Sequence, residues 1–538
     1  MSQSSIECSN SSVSLPFRGA SLAIVAAIFI QAFRIFTVTT NGETPFLSAN
    51  DRSRWCTIAS LIEDRSFVID RFLDIRDSKG KTRTWYSIDM VRKPEADGSE
   101  HYYSSKPPLL SVIYATICSP LSVLLNRRLS DDPMVVGRSL LLIVNLVPIG
   151  LFWFAFANWI RRSVDDFWAR WILLSMVLFG TFLSTFTNTI NNHFPAAFFL
   201  MASLWCLECL LARPRNDIGP VAPYFLLGFF AALTAACELP ALAWLCAVIG
   251  LVALRIGIKA AMFTMTGSLP IGMAFAITNF IAYGDLQPPY AHREVLGPQL
   301  AMLQSSSMNA IDAPPSIAEL EKVVSEAKLP IAGPYSVRSA RRSHTWELSG
   351  YNPLQVVQSK RFAVVPTGSG WSIHRWNDWY DYPKSYWLPE NKRGVDLGEP
   401  SPVKYALHVL VGHHGIFSLT PFWFLSLIGA ILVLKNNNLN ERWWLTIAIC
   451  AVSVVCIVFY LMRPLIDRNY GGVCSGFRWI FWLAPAWLWL AAPGLEAVCR
   501  SKWGRGLAIL LTGISIFSAT YPWANPWQHP WPYVWLIQ

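Results

Sequence analysis

Apolar residues run in long blocks along the chain, and polar residues gather in the stretches between them. A helix needs about 20 mostly apolar residues to cross a bilayer. Runs of this kind begin near Ala20, Val135, Ala169, Phe194, Val221, Ala241, Ala260, Ile416, Trp443, Trp479 and Gly506, and Pro107–Leu125 is a further candidate. The pattern predicts an all-α polytopic membrane protein, a bundle of about 11–13 membrane helices.

Charge placement gives the runs a direction. Arg161/Arg162, Arg213/Arg215, Arg255/Lys259, Lys435/Arg442 and Arg500/Lys502/Arg505 fall on one face if the spans alternate, and that face is expected to be cytoplasmic. The opposite face then receives residues 40–106, 284–412 and 463–478. One conflict arises. If Pro107–Leu125 and 135–160 both crossed, Arg161 and Arg162 would land on the wrong side, so one of these runs is expected to be short or re-entrant.

The chain therefore divides into five parts. Residues 1–18 are Ser-rich and expected to be a disordered cytoplasmic N-terminus. Residues 19–283 form an N-terminal membrane module that contains the first outer loop, 40–106. The run from Ala20 is too long for a signal-peptide core and reads as an uncleaved span. Residues 284–404 form a large outer loop, and its Trp and Tyr content argues for a folded cap. Residues 405–520 form a C-terminal membrane module. Residues 521–538 form an aromatic tail suited to the membrane interface.

Composition agrees with the runs. Of 538 residues 53% are hydrophobic and 14% charged, with mean hydropathy +0.35, against about 25% charged in soluble domains. The net charge of +10 does not indicate nucleic acid, because many of the basic residues sit in short loops between spans. Most of the 11 cysteines lie in apolar runs, where Cys acts as a small hydrophobe. Only Cys56 and Cys474 fall in the long outer loops, and two unpaired thiols is the reading taken over a disulfide.

The polar residues that could carry chemistry gather on the outer face. Asp51 stands in Asn50-Asp-Arg-Ser-Arg54, just beyond the first span. It reads equally as a proton acceptor or metal ligand and as a helix N-terminal cap. Lys106-Pro-Pro108 holds Lys106 extended at a helix entrance, able to meet a phosphate or to snorkel. His193 in Asn191-Asn-His193 and Glu238 before Pro240 lie at two outer turns. In Asp467–Trp479, Tyr470 and Gly471, Gly472 and Gly476 precede Arg478, whose guanidinium suits phosphate. His413 and His414 are adjacent and so make a poor metal pair.

Together these landmarks resemble the membrane glycosyltransferases of the GT-C fold, in particular the polyprenyl-phosphate-sugar group of protein O-mannosyltransferases and aminoarabinose transferases. The resemblance rests on Asn50-Asp-Arg52, Tyr103-Ser-Ser-Lys-Pro-Pro-Leu109, Asn192-His193, Gly415–Pro421 and Gly471-Gly472 with Gly476-Phe-Arg478. It implies a GT-C-like bundle in a bacterial inner membrane, with the active site on the extracytoplasmic face. The implied partners are a polyprenyl-phosphate-linked sugar, membrane lipid and an acceptor that is protein, lipid or glycan. Asp51 then matches the catalytic first-loop acid, and Arg52, Arg54, Lys106, His193, Glu238, Tyr470 and Arg478 form the substrate-binding set. At this motif Asp51 stands as a single acid between Asn50 and Arg52, where many relatives carry an acidic pair, which leaves a divalent metal ion open. Two other classes stay in view, a transporter or flippase of a lipid-linked substrate and a non-catalytic scaffold. Polar clusters in loops rather than at the bilayer midplane favour the enzyme.

Overall fold

The computed structural model describes residues 19–537 apart from 96, 98, 214–217, 305–313, 353–354, 369 and 437. The expected N-terminal tail therefore lies outside the described residues. Among those described, eight helices are long and apolar enough to cross a membrane: Gly19–Thr37, Pro133–Ser163, Phe167–Asn188, His193–Leu211, Ile258–Tyr283, Glu441–Leu461, Arg478–Cys499 and Lys502–Thr520. Four shorter apolar helices accompany them, Leu109–Leu125, Ala222–Cys237, Leu239–Arg255 and Trp423–Lys435. Each apolar run marked in the sequence is a helix in this set, and the chain is an integral membrane protein.

Close backbone approach holds part of the bundle. Trp423–Lys435 meets Arg478–Cys499 where Gly429 faces Gly494. A Cβ on Gly494 would lie 2.2 Å from the Leu425 carbonyl oxygen, and one on Gly429 would lie 2.0 Å from that of Leu490. Small residues let membrane helices gain dispersion contact where no hydrophobic force drives them together.

Buried polar side chains in the first spans have a structural task. Phe167–Asn188 is interrupted by a π-helical turn at Met176–Gly180 and an extended residue at Thr181. Such a break frees carbonyls that water cannot reach. Arg34 donates to Ser184 O (2.7 Å) and Thr185 O (2.9 Å), and Asn145 donates to Thr187 O (2.8 Å) and Thr189 O (3.0 Å).

The parity conflict resolves on Leu109–Leu125. This helix starts beside Lys106, which pairs with Asp89 of the first loop, and a few residues past its end at Leu125 the backbone N–H and hydroxyl of Ser130 both donate to Glu63 of the same loop (2.9 and 2.7 Å). Both ends thus contact the first loop. Val123 and Leu124 are 79% and 82% exposed, so the helix turns apolar side chains outward, as an interfacial helix does. Of the two runs, Pro133–Ser163 is the one long and apolar enough to cross. Arg255 stacks over Trp444 (5.1 Å), bringing together ends of Leu239–Arg255 and Glu441–Leu461, and the Asp165 N–H donates to Glu496 (2.6 Å), bringing together ends of Pro133–Ser163 and Arg478–Cys499.

The all-α expectation needs correction. The large loop folds around a five-stranded antiparallel sheet in the order β3-β7-β6-β5-β4, with β3 Gln299–Gln304, β4 Ala332–Ser339, β5 Trp346–Asn352, β6 Gln355–Thr367 and β7 Gly370–Arg375. A shorter hairpin precedes it in the first loop, β1 Met90–Pro94 with β2 Glu100–Ser104. Runs such as Arg361-Phe-Ala-Val-Val365 carry the β-branched and aromatic residues that fit a half-buried pleated surface. The amphipathic helix Ile317–Glu326 lays Leu320, Val323 and Val324 on Leu348, Val364 and Ile373 of the sheet. This lobe is fixed to the first-loop hairpin: Arg361 pairs with Glu100 (2.7 Å), both buried, and Arg92 N donates to Trp379 O (2.9 Å). Cys56 and Cys474 are free thiols, directed at the carbonyls of Trp85 and Gly476.

Candidate functional site

The site starts from the β1–β2 hairpin. Its register pairs Met90 with Ser104, so Asp89 comes beside Ser105 and Lys106 across the open end. Asp89 accepts from the Ser105 hydroxyl (2.5 Å), from Lys106 Nζ (2.7 Å) and from Asn50 Nδ2 (3.2 Å). Burial pushes its carboxyl up, but Lys106, Ser105 and Arg54 together hold it below the usual carboxylate range. Lys106 is pushed down by burial and by Arg54 and Arg478, against the pull of Asp89.

Arg54, one turn along Ala49–Glu63, ties this group to the next. It donates to Asn50 Oδ1 (2.6 Å) and to Asn192 Oδ1 (2.6 Å). Asn192 in turn donates to Glu238 Oε1 (2.5 Å). His193, at the start of its span, sets Nδ1 against Glu238 and Nε2 against Arg478 Nη1 (3.1 Å). A guanidinium can only donate, so Nε2 accepts and Nδ1 carries the proton toward Glu238. Arg478 also donates from Nε to Gly471 O (2.7 Å) and lies over the Trp527 indole (4.9 Å). Gly471 is needed there: its φ is +94°, and a Cβ would meet the Arg478 side chain at 3.0 Å.

Five of the eight expected residues are therefore joined: Arg54, Lys106, His193, Glu238 and Arg478. The other three make no hydrogen bond to these five. Arg52 turns to the carbonyls of Ser48 and Tyr86 (both 3.0 Å). Tyr470 stacks on His414 (4.7 Å), in an aromatic cluster that also holds His408, His413, His529 and Tyr533. Asp51 is 0% exposed and forms a capping box with Ser48. Its oxygens accept from Leu47 N (2.9 Å), Ser48 N (2.8 Å) and the Thr189 hydroxyl (2.7 Å). Burial pushes its carboxyl up while these bonds oppose the shift. The cap reading is formed in these hydrogen bonds.

The sequence marks Asn50 and Asn192 only as parts of the motifs around Asp51 and His193, and it marks neither Asp89 nor Trp527 as a site member. The signal for Asp89 was the pairing of Met90–Pro94 with Glu100–Ser104, which makes the residue before the first strand a neighbour of Lys106. Trp527 was read as part of an interfacial tail. It instead donates to Thr189 Oγ1 (3.3 Å) beneath Arg478, while Ser475 N donates to Pro526 O (3.0 Å).

The donor set does not fit a divalent cation. Asp51 is saturated by hydrogen bonds, Asp89 is paired with Lys106, and Glu238 is paired with His193. Among the described residues no three of His, Cys, Asp and Glu gather as a metal cage. Three cationic side chains, Arg54, Lys106 and Arg478, occupy the same ground and would repel a cation. What the arrangement suits is an anion beside a carboxylate.

No family model matches the chain, and no curated protein does. Among solved structures it is similar to the oligosaccharyltransferase of Archaeoglobus fulgidus in its apo form, at 11% identity and TM-score 0.42, over 95% of this chain and 57% of that one. The archaeal enzyme AglB in complex with an inhibitory peptide and a dolichol-phosphate gives TM-score 0.40, again at 11% identity over 95% and 57%. The chain thus spans little more than half the length of these proteins, and the figures assign it to no family.

Proposed function

We propose that this chain is a membrane glycosyltransferase that moves a sugar from a polyprenyl-phosphate donor to a hydroxyl-bearing acceptor on the loop face, which is extracytoplasmic. The observation that carries the reading is the convergence of Arg54, Lys106 and Arg478, from three separate elements, around Asp89 and the Glu238–His193 pair. Such a cluster at the membrane boundary fits a lipid-borne phosphate, and the carboxylate inside it fits proton transfer.

In the reaction the acceptor O–H attacks the anomeric carbon. The new C–O bond forms as the bond from that carbon to the donor phosphate breaks, and the polyprenyl phosphate leaves with the bonding electron pair. Lys106 and Arg478 stabilise the charge on the leaving oxygen, an electrostatic role that gains strength away from water. Asp89 takes the acceptor proton. Lys106 is shared between these tasks: drawn toward the arriving phosphate, it loosens from Asp89 and leaves that carboxylate more basic. Arg54 and Asn192 hold the two halves of the site together, and Glu238 fixes the His193 tautomer that receives Arg478. The donor enters sideways from the bilayer, and the sheet lobe selects the acceptor.

The test uses purified full-length protein in lipid nanodiscs with a panel of radiolabelled polyprenyl-phosphate sugars. Release of labelled sugar from at least one donor is expected. Binding without release, with movement of the donor between leaflets, would favour a flippase, and no binding of any donor would overturn the reading.

Asp51→Asn separates the cap from the chemistry. Asn offers one acceptor oxygen to three donors, so a loss of about 1–3 kcal/mol in stability is expected, read as a lower thermal midpoint. Turnover of the folded fraction should stay within about threefold of wild type. A well-folded Asp51→Asn protein without turnover would return Asp51 to the catalytic role.

A further inference from the structure

Arg341 lies in the sheet lobe just after β4, with a side chain only 1% exposed. Its Nε is 3.0 Å from Glu294, yet Nη1 and Nη2 are buried with no hydrogen-bond partner. A guanidinium carries its donors in a rigid fork, and leaving two of its nitrogens unpaired away from water is unfavourable. Arg293 Nη2 is also buried and unpartnered, while its Nη1 binds Asp467 (2.7 Å). The third cation is Lys392, which donates to Ile466 O (3.1 Å). Burial, Arg293 and Arg341 lower its ammonium to about 8. The acids around the group are largely engaged elsewhere. Asp467 is shared by Arg293 and Arg463, and Asp381 serves Arg338 and the Arg341 N–H. Asp396 is held by Tyr386 and Asn469. Asp378 Oδ2 alone stays unpartnered nearby, its carboxyl raised to about 6 by burial.

From the unpaired Arg341 fork, the free Arg293 nitrogen and Lys392, we infer a second anion subsite on the acceptor side, one that takes a phosphate or carboxylate carried by the acceptor. The word acceptor rests on the transferase reading; the anion site does not. Position supports the link. Arg293 and Lys392 both grip the Ile466–Asp467 end of the loop whose Gly471 carbonyl orients Arg478. An anion bound by Arg341 would thus sit at one end of a short loop and the donor phosphate at the other. The chemistry is that of an oxyanion met by a planar fork and a point charge.

The experiment titrates the full chain in nanodiscs with inorganic phosphate, and separately with acetate, at constant ionic strength, and reads the thermal midpoint. Ligand that binds only the folded state raises it. Wild type is expected to respond to phosphate, to acetate or to both, and the pattern tells a phosphate-bearing acceptor from a carboxylate-bearing one. In the Arg478→Gln background, which removes phosphate binding at the donor cluster, a response should remain, and Arg341→Gln and Lys392→Gln should each weaken it tenfold or more. If Arg341→Gln does not fold, Arg341→Lys, which keeps the charge and loses the fork, carries the comparison with Lys392→Gln. No response in wild type would overturn the inference, since the fork would then serve Asp378 alone. So would a response kept by the Arg341 and Lys392 variants or lost in Arg478→Gln. No donor or turnover enters the measurement, so its failure and the failure of the transferase reading are seen separately.

Discussion

Asp89→Asn is expected to cut turnover by about 10²–10⁴-fold, the range a positioned general base contributes. Asn keeps the shape of the side chain and one acceptor oxygen, so Ser105 and Asn50 retain a partner. It cannot take a proton, and it leaves Lys106 without its counter-charge. Donor affinity should change by less than about tenfold, or tighten as Lys106 is freed for the phosphate, so the loss appears in kcat rather than in KM. The pH profile gives an independent sign. Lys106, Ser105 and Arg54 outweigh burial and hold the Asp89 carboxyl below its ordinary value of about 4. The ionised, proton-accepting form is therefore present at neutral pH, and wild-type activity on the acid side should fall only below about pH 4. The same depression makes the ion pair a stabilising element above that value, lost as pH falls through the folded pKa. A variant that loses affinity and keeps kcat would place Asp89 in binding alone.

Arg478→Gln is expected to act on binding. The guanidinium is fixed from three sides, by Gly471 O, His193 Nε2 and the Trp527 ring, and needs little reorganisation to receive a phosphate. Truncating a partly buried, hydrogen-bonded charge costs about 2–5 kcal/mol, so donor affinity should fall by roughly 30-fold or more. Lysine at the same position restores the charge without the fork and the stacking, and partial recovery is expected. A fully active Arg478→Gln would remove the phosphate from this part of the cluster.

The parts of the fold written as long apolar runs were legible, because bilayer crossing imposes a length and composition that few other structures need. The sheet lobe was harder to read. Its first strand pairs with its last across the whole lobe, and register shifts interrupt the pairing, so tryptophan content announced a folded cap without its secondary structure. The helix Leu109–Leu125 has the composition of a span, and only the contacts at Lys106–Asp89 and Ser130–Glu63 show that both of its ends are tied to the first loop. In the site, Lys106, His193, Glu238 and Arg478 stood out because each is polar at the mouth of an apolar run. Asp51 stood out for the same reason, yet a carboxylate three residues after a serine is also the signature of a capping box, and its local hydrogen bonds form that box. Asp89 has no such local mark. Its place follows from strand register, a non-local property, and the same is true of Trp527, brought under Arg478 by a tail more than forty residues further along the chain.

The most direct measurement compares equilibrium binding of a polyprenyl phosphate with that of the polyprenol of equal length, to wild type and to the Lys106→Gln/Arg478→Gln double variant in nanodiscs. It asks whether the convergent cations hold a lipid-borne phosphate, without knowledge of the sugar or the acceptor. Wild type should prefer the phosphate by about a hundredfold or more, near 3 kcal/mol, and the double variant should bind the two lipids within a few fold of each other. Equal binding of phosphate and alcohol to wild type, or a preference that survives in the double variant, would contradict the account.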